Sequence, residues 1–319
     1  RRQRQMCIRD RDCSDVPEEY ARLIQLFQHT NQAFPFEGNR IAVYTEGYTK
    51  LQSLLRELQK AKQHIHIEYY IFEDDAIGRL VRDVLIEKAS QGVEVRVIYD
   101  DVGCWHVPNR FFEEMRNAGI EVRSFLKVRF PLFTSRVNYR NHRKIVVIDG
   151  RIGFVGGMNL AERYMRGFSW GIWRDTHILI EGKAVHGLQT AFLLDWYFVD
   201  RTLITASRYF PKIESCGSSL VQVVTSEPIG PWKEIMQGLT MAINGAKKYF
   251  YMQTPYFLPT EQVLAAMQTA ALAGVDVRLM LPERADNRIT HLGSHSYLAD
   301  VMQAGVKVYF YKKGFLHSK

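Results

Sequence analysis

The sequence predicts an α/β fold built from two copies of one strand–helix–strand–helix–strand unit, the second copy incomplete. Three observations predict it. Short Val, Ile and Tyr runs are preceded by glycine, as when a helix C-cap leads into a buried strand. Stretches with apolar residues at i, i+3, i+4 and i+7 lie between them. The whole pattern then recurs: Gly92-Val-Glu-Val-Arg96 returns as Gly274-Val-Asp-Val-Arg278, 182 positions on, and Ala118-Gly-Ile-Glu-Val122 as Ala304-Gly-Val-Lys-Val308, 186 positions on.

Taken in order, "LQSLLRELQKAKQ" has a helical apolar stripe and leads into "HIHIEYYIF", a first strand. An amphipathic stretch, "QGVEVRVIYD", another helix and "NAGIEVRSF" complete the first three-strand set. "NHRKIVVIDG" and "WRDTHILIEG" add strands, and "KAVHGLQTAFLLDWYF" is an apolar-faced helix. "ASRYFPKIESCGSS" reads as the link between halves, with the boundary near Cys216. The second half runs "YFYMQTPYF", "EQVLAAMQTAALAGVDVRLMLP" and "VMQAGVKVYFY", and the chain stops at "GFLHSK". Alternating βα units imply mixed, mostly parallel sheets with helices on both faces. The expected division is a basic tail over 1–15, a first domain over 16–215 and a second, truncated domain over 216–319.

The 319 residues, 46% of them apolar, supply ample core for two domains. A net charge of +8 fits anionic partners without choosing among nucleic acid, phospholipid and phosphate esters. Four cysteines without Cys-x-x-Cys spacing argue against a zinc site or disulfide framework. No run of about 18 apolar residues is present, so no membrane span is expected within the sequence. Its first eleven residues hold five arginines and one aspartate, the composition of a cytoplasmic membrane flank or of a cloning scar.

The chemistry lies in His142-x-Lys144-x4-Asp149, followed by Gly156-Gly157-Met158-Asn159. After the third strand of each half the repeat arrives at the same pair, so His317-x-Lys319 answers His142-x-Lys144 and the second motif is cut within itself. On a strand, residues i and i+2 share a face. Each copy therefore presents an imidazole beside an ammonium, and two copies suit a phosphodiester. The lysines would neutralise non-bridging oxygens. One histidine would attack phosphorus while the other protonates the leaving oxygen. No metal or cofactor is expected, since the lysines carry the charge stabilisation. Asp149 completes the motif and stands among the catalytic candidates, although it has the opposite strand parity from His142 and lies in the turn "IDG". Asp175 is the better orienter of an imidazole.

Glu68, near the end of the first strand, and Tyr256, in "TPYF", are the candidate substrate-binding residues. The loop "LKVRFPLFTSRVNYR" sets Lys127, Arg129 and Arg136 around Phe130 and Phe133, a mixture suited to an anionic membrane interface. Only this loop interleaves basic and aromatic residues, so nucleic acid is not the expected partner.

These residues resemble the phospholipase D superfamily, whose His-x-Lys-x4-Asp motif occurs twice about a pseudo-twofold axis. "NHRKIVVIDGRIGFVGGMNLAERY", "WRDTHILIEG", "TPYFLPT" and "GFLHSK" look in particular like bacterial cardiolipin synthases. The resemblance covers roughly residues 35–319. It implies condensation of two phosphatidylglycerols to cardiolipin and glycerol through a phosphatidyl-histidine at His142, with His317 as acid and base and Asp175 as partner of His142. Hydrolysis of a phosphodiester by the same two-histidine route is the alternative. The resemblance further implies an N-terminal membrane hairpin, absent from this sequence, and a place at the bacterial inner membrane with the active part on the cytoplasmic side. Cut inside its second motif, the fragment itself is expected to be weak or inactive.

Overall fold

The computed structural model describes residues 18–127, 140–227 and 230–319. They form two units. Phe34–Met165 and His177–Val223 make the first; Arg166–Thr176, Val224–Lys319 and the described part of Ser14–Ala33 make the second. The sequence suggests a single cut near Cys216. The observed division is discontinuous, because Ile172–Arg174 pairs with the last strand of the chain.

Helix α1 (Glu18–Asn31) belongs to the second unit. The first unit then runs β1 (Pro35–Tyr44), α2 (Gly47–Lys60), β2 (His64–Tyr69), α3 (Ala76–Ser90), β3 (Glu94–Asp100), α4 (Asn109–Asn117), β4 (Glu121–Phe125), β5 (Ile145–Ile148) and β6 (Ile152–Gly156). After β7 (Ile172–Arg174), which lies in the second unit, come β8 (His177–Glu181), α5 (Val185–Asp200) and β9 (Ser219–Gln222). The strand order is β4-β3-β2-β5-β6-β8-β1-β9. Pairing is parallel across β4-β3-β2, where helices make the crossovers, and antiparallel from β5 outward. Gly92 and Gly119 close the crossover helices with φ of 86° and 85°, which is why glycine precedes β3 and β4.

Residue parity assigns the faces. Ile65, Ile67 and Tyr69 of β2 join Leu54 and Leu58 of α2, Val81 and Leu85 of α3 and Phe111 and Phe112 of α4 in one core. The alternate residues His64, His66 and Glu68 face α5, where Gln189 holds both imidazoles and Asp195 approaches Glu68. All six residues of β2 are buried, as a strand covered on both sides requires.

The second unit continues with α6 (Glu234–Gly245), β10 (Tyr249–Gln253), α7 (Glu261–Leu272), β11 (Asp276–Pro282), α8 (Arg288–Ser296), α9 (Leu298–Gln303), β12 (Lys307–Tyr311) and β13 (Gly314–Leu316). Strands β10, β11 and β12 are parallel in that order. Their core joins Val277, Leu279 and Leu281 to Val263 and Met267 of α7 and Val301 of α9. Helix α1 packs on α6 at Gly238, where a Cβ would stand 2.1 Å from the tip of the Phe27 ring, so a larger residue would have to displace that ring. Strand β13 leaves this sheet and pairs in parallel with β7.

Candidate active site: two histidine–lysine half-sites

In the first unit the chain around His142 is tied down on both sides. Asn141 donates its side-chain N–H to Glu68, and its backbone N–H reaches Asp100 Oδ2 at 3.2 Å. Arg143 forms an ion pair with Asp195. His142 itself is exposed, its ring 4.8 Å from that of Tyr70. Lys144, 2% exposed, donates from Nζ to the His142 carbonyl at 2.6 Å and lies 5.4 Å over the Tyr70 ring. The ammonium is thus tied to the His142 backbone just ahead of β5, which begins at Ile145.

Asn159 is buried. Its Oδ1 accepts the Ile71 N–H at 3.1 Å and its Nδ2 donates to the Tyr164 hydroxyl. It fastens the segment after β2, the one that carries Tyr70, to the segment after β6.

Two expectations change here. Asp149 does not join the histidine. With φ of 52° at the β5–β6 turn, it accepts the backbone N–H groups of Lys62, Gln63 and His64 at 2.8–2.9 Å. It is a clamp on the start of β2. Glu68 pairs in register with Ile145, so it points to the face opposite Lys144. Buried under α5, it braces Asn141 and does not face a substrate beside Lys144. Burial first, and then the Asp195 carboxylate, raises its pKa well above the usual carboxylate range.

On the Lys144 face lies a buried basic group that the sequence pattern does not single out. The Lys50 Nζ of α2 hydrogen-bonds the Tyr69 hydroxyl at 2.8 Å, and both residues are fully buried. Burial brings the Lys50 pKa down to about 7. His177 of β8 shares this face. Among the described residues neither of its ring nitrogens has a hydrogen-bond partner. Burial, then the charges of Lys50 and Lys144, hold the imidazole neutral.

The second unit builds a comparable half-site. The N–H of His317 donates to the Arg174 carbonyl at 2.7 Å, extending the β7–β13 pairing. His317 Nδ1 lies 2.7 Å from Asp175 Oδ2, and Asp175 Oδ1 accepts the Thr176 N–H at 2.7 Å. Asp175 therefore orients His317, which corrects the expectation that it serves His142. The cause is the β7–β13 register, which sets the residue after Arg174 level with His317. Lys319 Nζ donates to the His317 carbonyl at 3.1 Å and stands 3.4 Å from its Nε2. This is the hook that Lys144 makes on His142. Burial lowers the Lys319 pKa, against the opposing charges of Asp175 and Asp286. Trp173, Phe315 and Tyr256 surround His317 at ring distances of 5.2, 5.7 and 6.5 Å.

Of the expected membrane loop, Arg129, Phe130, Phe133 and Arg136 lie outside the described residues; Lys127 is exposed after β4. Among the described residues no helix is long and apolar enough to cross a membrane.

The family model for the cardiolipin synthase, phospholipase D-like domain matches residues 54–196 and 239–319. A cardiolipin synthase of Geobacillus kaustophilus is 45% identical over 88% of this chain and 57% of its own length. The major cardiolipin synthase ClsA of Bacillus subtilis is 42% identical over 93% of this chain and 62% of its own. This chain thus spans about three-fifths of the length of the curated relatives it matches. Among solved structures, the phosphatidylserine synthase of Haemophilus influenzae has a similar fold, with a TM-score of 0.65 at 14% identity, over 93% of this chain and 79% of that one.

Proposed function

This chain belongs to the cardiolipin synthase family of phospholipase D-like proteins, and we propose that it is the catalytic part of a phosphatidyltransferase making cardiolipin and glycerol from two phosphatidylglycerols. The two units are its two phospholipase D-like halves. The reading places the complete protein on the bacterial inner membrane, working on anionic lipid.

The observation that carries it is the Asp175–His317 pair. The carboxylate keeps a proton on Nδ1, so that Nε2 is the proton-exchanging nitrogen: it carries a proton in the first step, gives it up, and is free to take one back in the second. In the first step His142 attacks phosphorus and becomes phosphatidylated, while His317 gives a proton to the departing glycerol oxygen. In the second, a hydroxyl of another phosphatidylglycerol attacks, His317 takes its proton, and the phosphorus–nitrogen bond breaks. Lys144 and Lys319 stabilise charge on the non-bridging oxygens.

The test is product analysis with the full-length polypeptide and phosphatidylglycerol in mixed micelles. Cardiolipin with equimolar glycerol, both lost in His142→Ala, is expected. Phosphatidic acid in place of cardiolipin would make the protein a phospholipase D, with water as acceptor.

A further inference from the structure

The parallel strands β10, β11 and β12 each deliver a polar group from the C-terminal end. Tyr256 follows β10 and Asp286 follows β11, while the chain leaving β12 runs through β13 to His317 and Lys319. Ligand-binding groups of α/β sheets gather at such ends. The Tyr256 hydroxyl donates to both Asp286 oxygens, at 2.9 and 2.8 Å, and its ring stands edge-on to His317. The loop carrying Asp286 is pinned at two more points. The Glu283 N–H donates to the Tyr311 carbonyl at 3.0 Å, and Arg284 lies 5.9 Å over the Trp170 ring. Asp286 is therefore held near His317 and Lys319, close enough for its charge to act on the Lys319 ammonium.

A carboxylate is a poor neighbour for a phosphate, since like charges repel. It suits a neutral hydroxyl. Asp286 is exposed, and a carboxylate with about four acceptor positions has capacity left after Tyr256. In the first unit the carboxylate at the end of the matching strand is used differently: Asp100, the last residue of β3, is buried and its oxygens take the backbone N–H groups of Val102, Gly103 and Asn141.

We propose that Asp286, held by Tyr256, selects a polyol acceptor by accepting a hydrogen bond from the hydroxyl next to the one that attacks. This rests on the phosphatidyltransferase reading above. The attacking O–H passes its proton to His317 Nε2 as the oxygen–phosphorus bond forms. The phosphorus–nitrogen bond to His142 breaks, and its electron pair returns to the imidazole. The vicinal diol of a glycerol headgroup offers one hydroxyl to His317 and one to Asp286. Water has no second hydroxyl to offer, so Asp286 favours transfer over hydrolysis.

The test uses the full-length polypeptide with phosphatidylglycerol as donor and two soluble acceptors, 1,2-propanediol and 1-propanol. The readout is the ratio of the two phosphatidyl-alcohols. A hydrogen bond to a charged acceptor predicts a diol preference of about tenfold in the unmodified protein. Asp286→Ala should bring the ratio close to that of the bare alcohols. Asp286→Asn, whose amide oxygen still accepts, should fall between. An unchanged ratio in Asp286→Ala overturns the proposal, as does loss of every product in both variants. If the unmodified protein makes phosphatidyl-alcohols without a diol preference, only this proposal fails. If it makes phosphatidic acid alone, the phosphatidyltransferase reading fails with it.

Discussion

Replacing Asp175 by Asn tests the second half-site most directly. The Thr176 N–H donates to Oδ1 at 2.7 Å, and this bond decides which way the new amide turns. The introduced amide keeps its oxygen on Thr176 and presents its NH2 to His317 Nδ1. The imidazole must then accept at Nδ1 and carry its proton on Nε2, the wrong tautomer for a base. The Asp175 and His317 side chains are 2% and 10% exposed, so water does not restore the lost bond. The equivalent change in a Ser-His-Asp triad costs about 10⁴ in turnover with geometry intact. Here the expected loss is on the order of 10³–10⁴, or about 4–5 kcal/mol of transition-state stabilisation. The assay is the initial rate of lipid product by the full-length protein, with the tautomer read from imidazole nitrogen chemical shifts. A variant that keeps a tenth of the rate, or one that still protonates Nδ1, refutes the orienting role.

The other predictions concern different links of the same chain. Asp149→Ala removes the acceptor of three backbone N–H groups and puts a Cβ residue without a polar side chain at positive φ. It should cost about 2 kcal/mol in urea unfolding, with turnover per folded molecule unchanged; a catalytic Asp149 would give the reverse. In Gly314→Ala the new Cβ would lie 2.0 Å from the Ile172 carbonyl oxygen, at a φ of 152°. Strand β13 must then part from β7, so activity should fall more than tenfold, with faster exchange of the His317 amide proton. Lys50 holds its proton less tightly folded, with a pKa of about 7, than unfolded, at 10.5. The unfolded chain binds the extra proton between those values, so stability should rise with pH from about 7 to 10.5. Lys50→Met should flatten that rise, read as urea midpoints across the window; an unaltered slope removes Lys50 as its source.

The parts legible in the sequence share a local cause. Gly92, Gly119, Gly274 and Gly305 all have positive φ at helix ends, and each marks the entrance to a parallel strand. That motif needs only neighbouring residues, so the repeat and the His-x-Lys pairs could be read directly. The face of Glu68 relative to Lys144 was not legible in this way, since the antiparallel pairing of β2 with β5 decides it. Neither was the partner of Asp175. Strand parity says which way a side chain points but not which strand arrives beside it. Here β13 arrives from 142 residues away. Lys50 escaped for a related reason: a lysine on an apolar helix stripe reads as a surface residue until the strand opposite supplies a hydroxyl.

The β7–β13 pairing also imposes an order on synthesis. Asp175 leaves the ribosome 142 residues ahead of His317. At about 5–20 residues per second, that interval is roughly 7–30 s. Throughout it β7 has an open edge, with Trp173 next to the place that Phe315 will fill. An unpaired strand beside an aromatic side chain is a target for chaperones and a site for mispairing with another nascent chain. Translation speed downstream of residue 176, and not only the final sequence, therefore bears on how many molecules acquire the completed dyad.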